Sequence, residues 1–317
     1  MKTFTLPQTD LVASDIALGF MRIEDLSDRQ IRELYSAARE AGINFLDHAA
    51  TYGTEMHSCE SRFANAVKLS PAERENLIIQ SKCGITKNPR TFNFSYDSIV
   101  ATALGSLQAL KLDYLDILLL HRPDALVRPE EVARALDYLH NTGKVRYFGV
   151  SNHQPGQIEL LRKYVRQPLI LNQLKLSLTH ANIITQGLLI NEDSEHQSID
   201  RDNGVLDYCR ITDMTLQAWG PYQARVINPD TGNLIDGVYL GNPAFAQLNQ
   251  VIDRLATKYS VPAEAIGSAW ILRHPAHWQV VLGTTKPERV LAGAAGSDVD
   301  LTHNEWYELT VAAGHRV

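Results

Sequence analysis

What the chain lacks narrows its function first. Its 317 residues include three cysteines, Cys59, Cys83 and Cys209, too few and odd in number for a disulfide framework, which points to a reducing compartment. No apolar run approaches the ~18 residues that a membrane span needs. The opening residues, Met1-Lys2-Thr3-Phe4-Thr5-Leu6-Pro7, have no apolar core of a signal peptide. A cytoplasmic protein with no membrane partner is therefore expected. No run of Lys and Arg stands out against a net charge of −6, and nucleic-acid binding needs a basic face, so no nucleic-acid partner is expected. The phosphate-binding G-x-G-x-x-G and Walker loops are absent, as is H-E-x-x-H. Gly149-Val150-Ser151-Asn152-His153 lacks the last glycine of a nucleophile elbow. His57 and Cys59 have no second pair of ligands at zinc spacing, so no metal site is expected.

What is present is a repeating alternation of strand and helix. The apolar fraction of 44% with 21% charged residues suits a globular chain. Short apolar segments at 16–21, 43–47, 77–81, 115–120, 145–150, 169–172, 214–218 and 279–282 read as strands. Helix signals fall between them. Ser27-Asp28-Arg29-Gln30 has capping-box spacing, Pro129, Pro155 and Pro287 suit first helical turns, and Gly42 and Gly143 suit positions just past helix ends. Residues 55–68, 97–110, 245–259, 263–273 and 305–313 read as further helices. Residues 191–203 and 221–243 read as polar or Gly/Pro/Asn-rich loops, the second long enough to be functional. Eight strands exceed the five or six of a doubly wound sheet. The expected fold is α/β, a single (β/α)8 TIM barrel spanning 1–317, with an N-terminal β-hairpin and extra C-terminal helices.

In such a barrel functional residues sit at the carboxyl ends of the strands. Here those ends carry Asp47, Lys82, His121, Ser151-Asn152, Gln173, Trp219 and Gly283-Thr284, with Tyr52 a short loop beyond Asp47. Taken singly, each has an ordinary structural explanation. Together, an acid, a phenol, an amine and an imidazole on adjacent strands suit one reaction. A phenol has a pKa of ~10 and is a poor acid at neutral pH. A neighbouring ammonium would lower that value, and a carboxylate would keep the ammonium charged. An imidazole can hydrogen-bond a carbonyl oxygen. The set suits protonation of the alkoxide that develops as a carbonyl is reduced, with hydride drawn from a cofactor.

After the last strand, Gly283-Thr284-Thr285-Lys286-Pro287-Glu288-Arg289 leads into a helix. A helix start offers N–H groups and positive dipole to an anion. The two hydroxyls and the charges of Lys286 and Arg289 suit a phosphate.

These motifs resemble the aldo-keto reductase family of NADPH-dependent barrel oxidoreductases. The resemblance rests on Gly42-Ile43-Asn44-Phe45-Leu46-Asp47-His48-Ala49 with Tyr52-Gly53, Ser81-Lys82-Cys83-Gly84, the run Asp113 through Leu120 with His121-Arg122-Pro123, the run Gly143 through Val150 with Ser151-Asn152, and Gly283 through Arg289. They span most of the chain in the family's order. The Asp-His-Ala wording and the Ser-Lys-Cys-Gly run are most similar to a YdhF-like branch of bacterial oxidoreductases. The resemblance implies a catalytic tetrad of Asp47, Tyr52, Lys82 and His121, with Tyr52 the general acid that Lys82 and Asp47 tune. It implies that Ser151, Asn152 and Gln173 hold the nicotinamide carboxamide. The ring would stack on Trp219, next to Gly220 and Pro221. Gly283, Thr284, Thr285, Lys286 and Arg289 would hold the 2′-phosphate of NADP(H). The implied activity is reduction of small aldehydes and ketones. The rival is an NADP(H)-binding redox-sensing or regulatory subunit of slow turnover; a third reading is a metal-dependent barrel hydrolase. The chain departs from the family pattern at His48, where threonine is usual. It departs again at Gly293, where many members carry an adenine-binding asparagine, and at Gly283, where several carry a basic residue. Selectivity would lie in the loops at 221–243 and 86–94.

Overall fold

The computed structural model describes residues 1–192, 196–228 and 231–317. The chain opens with β1 (Thr3–Thr5) and β2 (Val12–Ser14), an antiparallel hairpin. The repeat then begins with β3 (Ile16–Gly19), α1 (Asp28–Glu40), β4 (Phe45–Asp47), α2 (Ser58–Val67) and the short α3 (Pro71–Glu75). It continues with β5 (Ile78–Cys83), α4 (Tyr96–Leu110), β6 (Leu115–Leu120), α5 (Pro129–Asn141), β7 (Val145–Ser151), α6 (Pro155–Arg162) and β8 (Leu169–Lys175). Short helices α7 (Asn182–Thr185) and α8 (Val205–Ile211) precede β9 (Thr215–Trp219). A second hairpin, β10 (Gln223–Ile227) and β11 (Leu234–Val238), is followed by α9 (Ala246–Tyr259) and α10 (Ala263–Arg273). The chain ends with β12 (Trp278–Leu282), α11 (Pro287–Ala294) and α12 (His303–Ala312).

Eight parallel strands close a barrel in the order β12-β3-β4-β5-β6-β7-β8-β9. The side-chain period of two decides what faces inward. Phe45, Ile78, Ile117, Leu119, Leu171 and Val281 pack together inside the wall, whereas Leu46, Ile79, Leu118 and Leu120 belong to the layer shared with the helices. Leu6, Leu11 and Ala13 of the N-terminal hairpin join the inner cluster and plug the barrel floor. Each large apolar side chain so buried contributes ~1.5–3 kcal/mol. Gly149 in β7 is required by the close wall. A Cβ there would lie 2.8 Å from the Leu171 carbonyl oxygen and 2.9 Å from Leu119 Cδ2.

The helix signals act as the sequence implies. Ser27 and Gln30 complete a capping box on α1, and Pro129, Pro155 and Pro287 sit in the first turns of α5, α6 and α11. Besides the short α3 and α7, helices α9 and α12 stand outside the eight-fold repeat, and they pack on each other through Arg254–Glu308 at 2.6 Å. Only α12 is C-terminal; α9 is inserted ahead of α10, the helix that packs on β12 and α11.

Two differences from the expected elements bear on the site. Helix α2 begins at Ser58 rather than at residue 55, because residues 51–57 fold back: the His57 N–H donates to the Ala50 carbonyl at 2.6 Å and the Cys59 N–H to the Tyr52 carbonyl at 3.3 Å. That return loop holds Tyr52 over the strand ends. The expected loop at 221–243 contains the β10–β11 hairpin, whose alternating strand pattern is masked by the surrounding Gly, Pro and Asn; residues 229–230 of that segment lie outside the described residues. Of the expected loop at 191–203, residues 193–195 also lie outside them. No helix among the described residues is long and apolar enough to cross a membrane.

Candidate active site

Asp47, Lys82 and His121 come from the carboxyl ends of three neighbouring strands, β4, β5 and β6. Lys82 points into the barrel and is fully buried. Its ammonium donates to Asp47 Oδ1 at 2.6 Å, to the Tyr52 hydroxyl at 2.8 Å and to the His48 carbonyl at 2.9 Å. All three ammonium protons are thus accounted for, which fixes a normally flexible side chain in one place. The Tyr52 hydroxyl lies 3.3 Å from Asp47 Oδ2. The Tyr52 and His121 rings meet edge to face with centroids 6.1 Å apart.

Burial, then the charge and hydrogen bond of Asp47, hold the Tyr52 phenol well above its ordinary pKa. This reverses the lowering expected from the sequence: a neighbouring ammonium favours the phenolate, but desolvation, which only the folded chain imposes, outweighs it. Burial also pushes the Lys82 ammonium down, against the opposing pull of Asp47 and then Glu60. His121 is held well below its usual value by burial first, then by the charges of Lys82, Arg122 and Arg90. It is a neutral imidazole at pH 7, with a single N–H to donate.

One cavity of about 590 Å³ joins these groups to every expected cofactor residue. Asp47, Tyr52 and His121 line it together with Ser151, Asn152, Gln173, Trp219, Gly220, Pro221, Gly283, Thr284, Thr285, Lys286 and Arg289. Lys82 is absent from the lining and reaches the cavity through Tyr52. Asn152, at φ 60°, donates to Ser151 Oγ at 2.7 Å and accepts from Trp219 Nε1 at 3.2 Å. Gln173 Nε2 is spent on Asp47 and Gln217, at 3.0 and 2.9 Å, leaving its carbonyl oxygen as an acceptor. At the far end, Lys286 and Arg289 flank the start of α11, a helix with no side-chain N-cap. A larger concavity of about 680 Å³, lined by Tyr35, Arg39 and Glu73, lies by the amino end of β4 and lacks a convergent catalytic set.

Two features of the site have no counterpart in the sequence reading. The first is a glutamine ladder through the barrel core. Gln80 Nε2 donates to Asp47 Oδ1 at 2.6 Å and to Gln217 Oε1 at 2.9 Å. Gln217 donates on to Gln279 at 2.7 Å, and Gln279 to the Ser14 carbonyl at 2.6 Å. With Lys82 and Gln173, Asp47 Oδ1 accepts three donors and cannot turn. The only trace in the sequence is that Gln80, Gln217 and Gln279 each precede a strand-end position by two or three residues. The second feature is Glu60, fully buried outside the barrel wall on α2. It accepts from Ser81 Oγ at 2.6 Å and lies 2.6 Å from His57 Nδ1. Its charge favours the ammonium form of Lys82, and no sequence pattern pointed to it.

Two family departures find physical explanations. Adding a Cβ at Gly293 would place it 2.6 Å from the Tyr222 hydroxyl, which itself pairs with Ser268 Oγ at 2.7 Å. Tyr222 thus occupies the space that an asparagine there would need. His48 faces away from the cavity. Its ring stacks on Phe20 (centroids 4.9 Å, 8°) and meets Phe63 at 4.8 Å, and neither ring nitrogen has a hydrogen-bond partner. Its side chain is a packing element, and its carbonyl is what serves Lys82. Burial drives the His48 pKa from 6.5 down to about 4. The unfolded chain therefore takes up this proton first, so stability is intact above about pH 6.5 and falls as pH drops toward 4. A His48→Leu variant is expected to lose less stability on acidification, by roughly 3 kcal/mol at pH 4. Denaturant melts across pH 4–8 test this. Parallel stability–pH curves for the two proteins would show that His48 does not titrate on unfolding.

The fold and this constellation define a barrel with a polar, strand-end site built for small-molecule chemistry. The sequence profile of the Aldo/keto reductase family matches residues 15–312, and the chain belongs to that family of oxidoreductases. It is 32% identical over 309 residues to oxidoreductase YdhF of Escherichia coli, covering 95% of this chain and 93% of that protein. It is 31% identical to the 6-dehydroglucose reductase of Agrobacterium fabrum, covering 97% of each. Among solved structures, the Bombyx mori aldo-keto reductase in complex with NADP superposes with a TM-score of 0.73 at 21% identity, covering 99% of this chain and 94% of that one.

Proposed function

We propose that the protein is an NADPH-dependent reductase of small aldehydes and ketones. The reading rests above all on the Lys82 ammonium, held between Asp47 at 2.6 Å and the Tyr52 hydroxyl at 2.8 Å, with Tyr52 opening onto the cavity beside His121. Ser151, Asn152 and the free acceptor of Gln173 would hold the carboxamide of the cofactor, and Trp219 would support its ring, bordered by Gly220 and Pro221. Thr284, Thr285, Lys286 and Arg289 would hold the 2′-phosphate, with Gly283 leaving room beside them. The donor set fits such a group: Lys286 and Arg289 stand at an uncapped helix start, and a Cβ at Gly283 would meet nothing within 4 Å. When bound, NADPH supplies the hydride that the protein's side chains cannot.

The protein's own groups do the rest. The neutral His121 donates its N–H to the carbonyl oxygen and orients it. Tyr52, held protonated, is a stored proton. As an alkoxide develops, a far stronger base than a phenolate, the proton passes from the Tyr52 oxygen to the substrate oxygen. The Lys82 ammonium then stabilises the phenolate left behind. Asp47 and the His48 carbonyl keep that ammonium within reach, and the glutamine ladder keeps Asp47 in place.

Purified protein given a reactive aromatic aldehyde is expected to oxidise NADPH. Lys286→Ala should raise the KM for NADPH by about 10–100-fold, the worth of one charge-assisted phosphate contact, and alter that for NADH little. Equal changes with both cofactors would show that Lys286 does not read the 2′-phosphate.

A further inference from the structure

The positive side chains that line the cavity around the proposed site fall in two groups. Lys286, Arg289 and Arg22, whose Nη1 donates to the Gly283 carbonyl at 3.2 Å, lie at the β12 end. Arg90 and Arg122 line the same cavity on the other side of Tyr52. Arg90 belongs to the loop after β5, and Arg122 directly follows His121. Arg90 is exposed and Arg122 is half-buried. Neither makes a hydrogen bond or ion pair with any of the described residues.

The carboxylates of Asp47 and Asp124 are already committed. Among the described residues, only Asp47 and Glu264 bring a carboxylate to the cavity lining. Asp47 is taken by Lys82, and Glu264 belongs to α10, which packs against β12 and α11 at the cofactor end. Asp124, two residues beyond Arg122, accepts from the backbone N–H groups of Phe94 and Leu126 at 2.9 and 2.8 Å. Lys87, also in the lining, is capped by the carbonyls of Gly53 and Glu55.

A guanidinium brought out of water without a counter-charge costs stability unless something repays the desolvation. Here a second guanidinium adds to the cost, since burial and then the charge of Arg90 both disfavour the charged form of Arg122. An anion from outside would satisfy both groups. The planar fork of arginine matches an oxyanion, a carboxylate above all. Because Arg122 follows the residue that orients the carbonyl, such an anion belongs on the molecule being reduced.

We propose that the substrate is an aldehyde or ketone that also carries a carboxylate, and that Arg122, assisted by Arg90, holds that acid group. This rests on the reductase reading of the same site and adds a substrate class to it.

The test compares two substrates of one shape, 4-formylbenzoate and 4-formylbenzamide, which differ in charge. The acid is expected to have a kcat/KM at least tenfold higher, chiefly through KM, with an advantage that shrinks as salt is raised. In Arg122→Met the acid-to-amide ratio should fall to about one; Arg122→Lys should retain an intermediate ratio. Arg90 is exposed, so Arg90→Gln is a second variant safe for folding, and it should lower the ratio several-fold. A wild-type ratio near one, or a ratio that neither Arg122→Met nor Arg90→Gln changes, overturns the proposal. Calorimetry of the alcohol pair, 4-(hydroxymethyl)benzoate and 4-(hydroxymethyl)benzamide, on the protein with NADP⁺ separates the two readings. If neither aldehyde is reduced but the acid alcohol binds more tightly and Arg122→Met removes the difference, the anion site stands and the reductase reading falls. Equal binding of the two alcohols overturns the anion site whatever the turnover.

Discussion

Replacing Tyr52 by phenylalanine is expected to lower kcat by ~10²–10⁴-fold, the range a positioned general acid contributes. NADPH affinity should stay close to that of the unaltered protein, because the residues proposed to hold the cofactor lie at or just beyond the ends of β7, β8, β9 and β12, while Tyr52 sits on the loop after β4. The change removes one hydroxyl, the group 2.8 Å from Lys82 Nζ and 3.3 Å from Asp47 Oδ2, and leaves the ring that packs against His121. Pre-steady-state measurements with a reactive aldehyde separate the chemical step from product release. The direction of the Tyr52 pKa sets the accompanying pH profile. Since burial and Asp47 hold the phenol above its ordinary range, reduction should be flat through neutrality and fall only in strong alkali. Alcohol oxidation, which needs the phenolate, should rise with pH. A Tyr52→Phe protein of undiminished kcat would sink the mechanism.

The largest expected loss of stability comes from Lys82→Met. Lys82 is fully buried, and its partner Asp47 is nearly so. Removing the ammonium leaves a carboxylate in the barrel core facing amide donors but no counter-charge. Breaking a buried pair from one side costs ~3–5 kcal/mol. The double variant Lys82→Met/Asp47→Asn removes both charges. The amide oxygen of the introduced asparagine can still accept from Gln80 and Gln173, whose amides reach Asp47 Oδ1 at 2.6 and 3.0 Å. The double variant should therefore regain much of the lost stability while remaining inactive. Denaturant unfolding of the two singles and the double closes the cycle. If the double were no more stable than additivity of the singles predicts, the two charges would not be coupled in the folded protein.

Much of the candidate tetrad was legible because two local rules coincide. A strand period of two and a barrel that puts function at strand ends are both properties of short stretches of chain, and they pick out Asp47, Lys82 and His121 without a neighbour in view. Pro287 with Lys286 and Arg289 was legible for a similar reason, as a helix start needs only a few residues. The glutamine ladder was not. Gln80, Gln217 and Gln279 are separated by up to 137 residues along their hydrogen bonds, and only closure of the barrel makes them neighbours. Glu60 was hidden because its partners, His57 and Ser81, come from different elements and meet outside the wall.

The sequence by itself determined the alternation of eight strands with helices, the polar residues at the strand ends and the family's motifs in order. These follow from side-chain chemistry acting over a few residues. Tertiary structure alone decided the electrostatics. It desolvated the half-buried Tyr52 and raised a pKa that the neighbouring ammonium would have lowered, turned His48 away from the cavity, filled the space at Gly293 with Tyr222, and left Arg90 and Arg122 without a counter-charge. Desolvation and pairing depend on which groups are brought together and what water is removed, and neither is written in any single stretch of the chain.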